Sequence, residues 1–245
     1  MTSEISRFDI SALSYEDWIR FFFDRRVLSE SEWFPEAFCT DIDEFVTVNP
    51  GTIVAHIRCM CVEFKSLGQR YSLQQINQAI WQILGPNFEL HECLWDTSVP
   101  LRERLMCVHA MYRPFAEFVA GHPVELMENC FEMWWDFVAD HFWSTRLWPD
   151  VRIEFHPHRP PDLPLPDVSK LSVEARALLD AMFKTLCEIL ALDDKRCQAY
   201  ALHGLGHLHH PDGAAKVQAF IDSHCGEFSS ADIAWLEQCR DGTVL

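Results

Sequence analysis

His203 and His207 stand four residues apart in AYALHGLGHLHH, a stretch whose apolar residues recur at helical spacing. On a helix that spacing puts both imidazoles on one face, close enough to share one metal ion. A third ligand has to come from further away, with His210, His224 and Cys225 as candidates. No Glu follows the first His, so the HExxH pattern of zinc proteases is absent. The same spacing also suits imidazoles that pack between helices or cap carbonyls near the Pro211 turn, where the helix dipole favours them. The sequence favours this plainer assignment. No metal or cofactor is therefore expected, and His203, His207 and His210 are kept as the alternative.

A second pattern lies in residues 123–143, PVELMENCFEMWWDFVADHFW. Phe131, Trp134, Phe137 or Val138, and His141 fall three or four apart, with Leu126 upstream, which predicts one long helix with Pro123 in its first turn. Glu128, Glu132, Asp136 and Asp140 sit four apart on a neighbouring face. Like charges at that spacing cost an isolated helix a few tenths of a kcal/mol per pair. Burying several aromatics, at roughly 1.5–3 kcal/mol each, outweighs this. The plain reading is a wet helix face. The functional one is an acidic ridge for a cationic partner, with Trp135 and Trp143 exposed as anchors.

Other chemistry is sparse. There is no GxSxG, Walker A, GxGxxG or kinase set, so the chain reads as non-enzymatic. Cys59 and Cys61 diverge by about 200° on a helix and do not chelate. His156-Pro-His158 is a lone pair in a proline-rich stretch. The 10 cysteines form no CxxC, and most fall in apolar stripes, where a thiol acts as a small hydrophobe. With no signal-peptide pattern and no run of ~20 apolar residues, the expected setting is a reducing cytoplasm, away from membranes.

The 245 residues carry 20 Lys plus Arg against 37 Asp plus Glu, a formal charge of −17. Such a surface repels nucleic acid, whose binding needs phosphate neutralisation, and it repels anionic membranes. It attracts a basic protein. Aromatic content of 13% supports a large core, and 9 glycines with few alternating runs favour helices over sheet.

The helix signals divide the chain. Ser14, Asn49-Pro50 and the Ser72-Leu-Gln-Gln75 capping box predict three helix starts, with Gly68 and Gly85 as stops. The helices of 50–84 are expected to form an antiparallel pair. Thr97 or Ser98 caps the next helix, which Pro114 kinks. Six of the 13 prolines lie between Pro149 and Pro166, so 144–168 reads as a linker or loop with a short strand at Val151–Phe155. This sets a division into 1–143, 144–168 and 169–245, which remain compatible with one continuous domain. Ser169 or Ser172, Asp193 or Asp194, and Ser229 or Ser230 cap the later helices.

Residues 196–222 carry Arg196, Ala201, Leu205-Gly206 with Leu208, Pro211 in a turn, and Val217, Phe220 and Ile221. This pattern resembles a HEAT-type repeat of the short, lyase-associated kind. It departs in carrying His203, His207, His209 and His210. The resemblance implies a stacked-helix scaffold that binds a macromolecule. The fold expected is all-α, with stacked antiparallel helix pairs in a HEAT-like or α-solenoid-like arrangement. The function expected is an acidic binding protein, of the immunity or antitoxin type, that engages a basic protein. The alternatives are a metal-dependent enzyme using the histidine cluster and a structural subunit of a homo-oligomer.

Overall fold

The computed structural model describes residues 6–28, 44–122, 130–147, 167–224 and 226–244, without the side chains of 141 and 144–147. It is mostly helical. A small parallel pairing of Arg7–Asp9 (β1) with Glu44–Val46 (β2) sets Arg7 opposite Glu44. The strand expected at Val151–Phe155 falls outside the described residues.

The first three long helices start where their caps predict. Ser14 accepts from the Asp17 N–H to open α1 (Tyr15–Phe23), and Asn49 accepts from Thr52 N–H to open α2 (Pro50–Arg70). Ser72 and Gln75 form the reciprocal capping box of α3 (Leu73–Leu84). The expected α2–α3 pairing is replaced, because α2 packs on the later helix α4 (Leu101–Ala110) while α3 packs on α1. Gly68 does not stop α2. A Cβ there would sit 2.3 Å from the Phe118 ring, so the bare backbone is what admits that side chain. Neither Thr97 nor Ser98 caps α4. Pro100 holds that position, and Asp96 accepts the Ser98 N–H instead.

Pro114 acts as predicted. α4 ends at Ala110, and a three-residue turn, α5 (Tyr112–Pro114), follows. Phe115–Val119 then forms a π turn, closed by Ala120 N–H donating to Phe115 O at 2.9 Å. Loss of the proline N–H explains the shifted register.

The long helix expected from Pro123 is described only from Trp134. Cys130 to Met133 make a turn, and α6 runs Trp134–Leu147, four residues into the predicted linker. The C-terminal helices are α7 (Val173–Leu190), α8 (Lys195–Leu208), α9 (Gly213–Ser223) and α10 (Ser230–Asp241), capped by Ser172, Asp194 and, for α10, Ser229. α4 packs on α7 and α6 on α8, so helices from both sides of the proline-rich stretch share one apolar cluster. Eight described cysteines are free thiols, six of them buried. Among the described residues no helix is long and apolar enough to cross a membrane.

Candidate metal centre

α6 and α8 lie side by side and run in the same direction. Trp135 sits against Gly204, Asp140 against His207, and the Trp143 indole N–H donates to Leu208 O at 2.9 Å. Glycine sets this closeness. A Cβ at Gly204 would meet Trp135 Cβ at 2.6 Å and Leu186 Cδ2 at 2.9 Å. On the far side of α8, a Cβ at Gly206 would meet Val244 at 2.7 Å and the Cys239 backbone near 3.1 Å. α8 can therefore be gripped by α6, α7 and α10 at once, and the histidines flanking these glycines, His203 and His207, are carried into the interior.

α6 is buried all round from Trp134 to Ala139. A helix without a wet face cannot carry an acidic ridge along it. Glu128 falls outside the described residues. Glu132 and Asp140 are exposed, but Asp136 is only 6% exposed and faces α8. Trp135 and Trp143 are buried as well, so neither is the exposed anchor expected of it. Trp135 fills the α6–α8 contact, and Trp143 ties α6 to the end of α8.

Asp136 meets the two histidines of α8. Its Oδ1 lies 3.5 Å from His203 Nδ1, and its Oδ2 lies 3.6 Å from His207 Nε2. The two imidazole Nε2 atoms are 3.3 Å apart, with the rings nearly perpendicular at 85°. Good N–H···O hydrogen bonds span 2.7–3.2 Å, so both carboxylate contacts are too long to be strong. Asp136 Oδ1 is fully buried and takes no hydrogen bond. One ligand atom from each of the three residues can be chosen so that all lie within 4.8 Å of one another. No other group of three or more His, Cys, Asp or Glu with metal-ligand geometry occurs among the described residues.

The electrostatics follow from burial. Desolvation pushes the Asp136 carboxyl up to about 7, against the pull of His207 and with help from Asp140 and Glu132. Desolvation pulls His207 down, but the hydrogen bond to Asp140 and the charge of Asp136 outweigh it and leave the imidazole raised. In this cluster a buried carboxyl faces two imidazoles at long range, and one of its oxygens takes no hydrogen bond. A divalent cation would supply the missing charge, because it binds an ionised carboxylate and neutral imidazoles.

The other histidines do not join. His210 stacks on Phe183 at 4.0 Å, points Nε2 at Asp180 Oδ1 at 3.1 Å, and accepts the Asp212 N–H through Nδ1. Its ring nitrogens are both engaged away from the cluster. The His224 ring packs against Phe220, with Nδ1 2.9 Å from Phe220 O. Cys225 and the His156-Pro-His158 pair fall outside the described residues. The third group that the fold brings to the histidine pair is thus Asp136. The signal for it was present: WWDFVA places one carboxylate inside an otherwise unbroken apolar run.

Comparison with known proteins yields no relative: no family model, no curated protein and no solved structure matches the chain.

Proposed function

We propose that this is a metal-dependent protein, acting through a divalent transition-metal ion held by Asp136, His203 and His207. The observation that supports it is the buried Asp136 carboxylate, faced by two imidazoles at 3.5 and 3.6 Å with one oxygen unsatisfied. A buried unsatisfied carboxylate is costly unless an ion or a proton relieves it. The 3.3 Å between the Nε2 atoms matches the ~3.3 Å edge of a tetrahedron with metal–nitrogen bonds of about 2.0–2.1 Å. Two nitrogens and one carboxylate oxygen suit zinc, cobalt or iron better than calcium or magnesium, which prefer all-oxygen shells. Three protein ligands leave a tetrahedral ion one position for water or substrate, the pattern of catalytic zinc sites rather than closed structural ones. The side chain of Asp140 at the rim is 52% exposed, which gives the centre a solvent-facing edge. The reaction class this supports is polarisation of a bound water or carbonyl oxygen.

The test is elemental analysis of protein purified without chelator, followed by titration of the stripped protein with zinc and cobalt. One equivalent bound by the wild type and lost in Asp136→Asn and His203→Ala is expected. Equal binding by wild type and both variants would remove the centre from consideration.

A second reading, an acidic binding protein for a basic partner, rests on the −17 charge and on the exposed Glu132 and Asp140. It keeps the HEAT-like scaffold suggested by 196–222, without the two tryptophans as anchors. Charge reversal at Glu132 and Asp140 should then slow association with a cationic protein and flatten its salt dependence.

A further inference from the structure

Resting on that metal reading, we infer that Asp140 is a positioning residue: it holds His207 in the tautomer whose bare Nε2 points at the ion. The geometry is a cluster of four groups along the α6–α8 seam. His207 Nε2 faces His203 Nε2 at 3.3 Å and Asp136 Oδ2 at 3.6 Å. The opposite ring nitrogen, Nδ1, lies 3.3 Å from Asp140 Oδ1. A neutral imidazole carries one proton, and an ionised carboxylate can only accept. The contact therefore places the proton on Nδ1, which donates to Asp140, and leaves the Nε2 lone pair directed inward. Asp136 and Asp140 are one helical turn apart on α6, and His203 and His207 are one turn apart on α8. One pair of turns thus supplies both a ligand and the partner that orients a ligand. Carboxylate–histidine–metal chains of this kind fix ring orientation and raise ligand basicity, and loss of the outer carboxylate commonly weakens metal binding 10–100-fold.

Two other acids separate orientation from mere charge. Glu132 also acts on Asp136 through its charge. Asp180 makes the same type of contact to a histidine, His210, that does not face the centre.

The test measures cobalt and zinc affinity by competition with a chromophoric chelator, for wild type, Asp140→Ala, Asp140→Asn, Asp140→Glu, Glu132→Gln and Asp180→Asn. Nitrogen-15 NMR of His207 in the metal-free proteins reports the tautomer independently. Expected are a 10–100-fold rise in Kd for Asp140→Ala, a smaller rise for Asp140→Asn, and recovery of most of the affinity in Asp140→Glu. Glu132→Gln and Asp180→Asn should stay within about threefold, and His207 should shift from the Nδ1–H form toward Nε2–H only when Asp140 is truncated. Wild-type binding that Asp140→Ala leaves unchanged, or that Glu132→Gln weakens equally, overturns the positioning role while leaving the metal centre standing. A wild type that binds neither ion removes the centre itself. An Nε2–H His207 in the wild type refutes the tautomer whatever the metal result.

Discussion

One histidine–aspartate contact lies between α6 and α8 and another just beyond α8, against α7, and they are built to opposite ends. His210 is closed: both ring nitrogens have partners, its Asp180 contact is 3.1 Å, and its face is stacked on Phe183. His203 and His207 share a buried carboxylate instead: their contacts to Asp136 are 3.5 and 3.6 Å, and that carboxylate keeps an oxygen without a hydrogen bond. The residue types are identical. The difference is where the helix neighbours put the carboxylate. Asp180 reaches His210 from the rim, 56% exposed, where water relieves any shortfall. Asp136 is held in the interior by Trp135 against Gly204, shielded from bulk solvent at 6% exposure. A closed pair at the rim stabilises a turn, whereas the buried triad is the one proposed to hold an ion.

The largest expected contrast is in metal affinity. Asp136→Asn or His207→Ala should weaken zinc binding by at least 100-fold, while His210→Ala should leave it within about twofold. Chelator competition on the three variants measures this directly, and equal losses would erase the distinction.

Next is the packing that makes the triad interior. Gly204→Ala drives a methyl into Trp135 Cβ and Leu186, so α6 must move away from α8. A stability loss of about 1–3 kcal/mol or more is expected, with weakened metal binding, by denaturant unfolding of the stripped protein. Gly213→Ala is the control, because the nearest atom to its Cβ would be at an ordinary 3.7 Å.

The third contrast is in pH. Asp136 titrates at about 7 in the fold, raised by burial from 3.8. A raised carboxyl contributes its full stability below the unfolded value and loses it as pH climbs through the folded one. His207, also raised, acts in the same direction, its contribution fading as pH passes its folded value. Metal-free protein should therefore be less stable at a pH of about 8 than at about 5, with Asp136→Asn flattening the slope. Saturating zinc should reverse the trend, since protons compete with the ion for the same ligands. A metal-free profile rising through this window would contradict the burial of Asp136.

The smallest effect is expected at the closed pair. His210→Ala should cost about 1–2 kcal/mol, the value of its hydrogen bonds and ring contact.

Much of this was legible in residues and some was not. Ser14, Asn49-Pro50 and Ser72 announced their helices because a cap is a local device, decided within four residues. The His203–His207 pair was legible for the same reason. Asp136 was misplaced because a four-residue spacing of acids says which residues share a face, not which face is covered. That is decided by α8, which is 67 residues distant in sequence at the Asp140–His207 contact. Trp135 and Trp143 follow it inward, since an amphipathic spacing does not reveal that α6 is covered all round from Trp134 to Ala139. Gly68 looks like a helix stop from its neighbours alone, but its role is to admit Phe118, a contact invisible from local sequence.

The central claim is tested most directly by anomalous diffraction at the zinc edge, from crystals of the protein loaded with one equivalent. The account predicts a single strong peak within bonding distance of His203 Nε2, His207 Nε2 and an Asp136 carboxylate oxygen. A peak elsewhere, or none between α6 and α8, would contradict it.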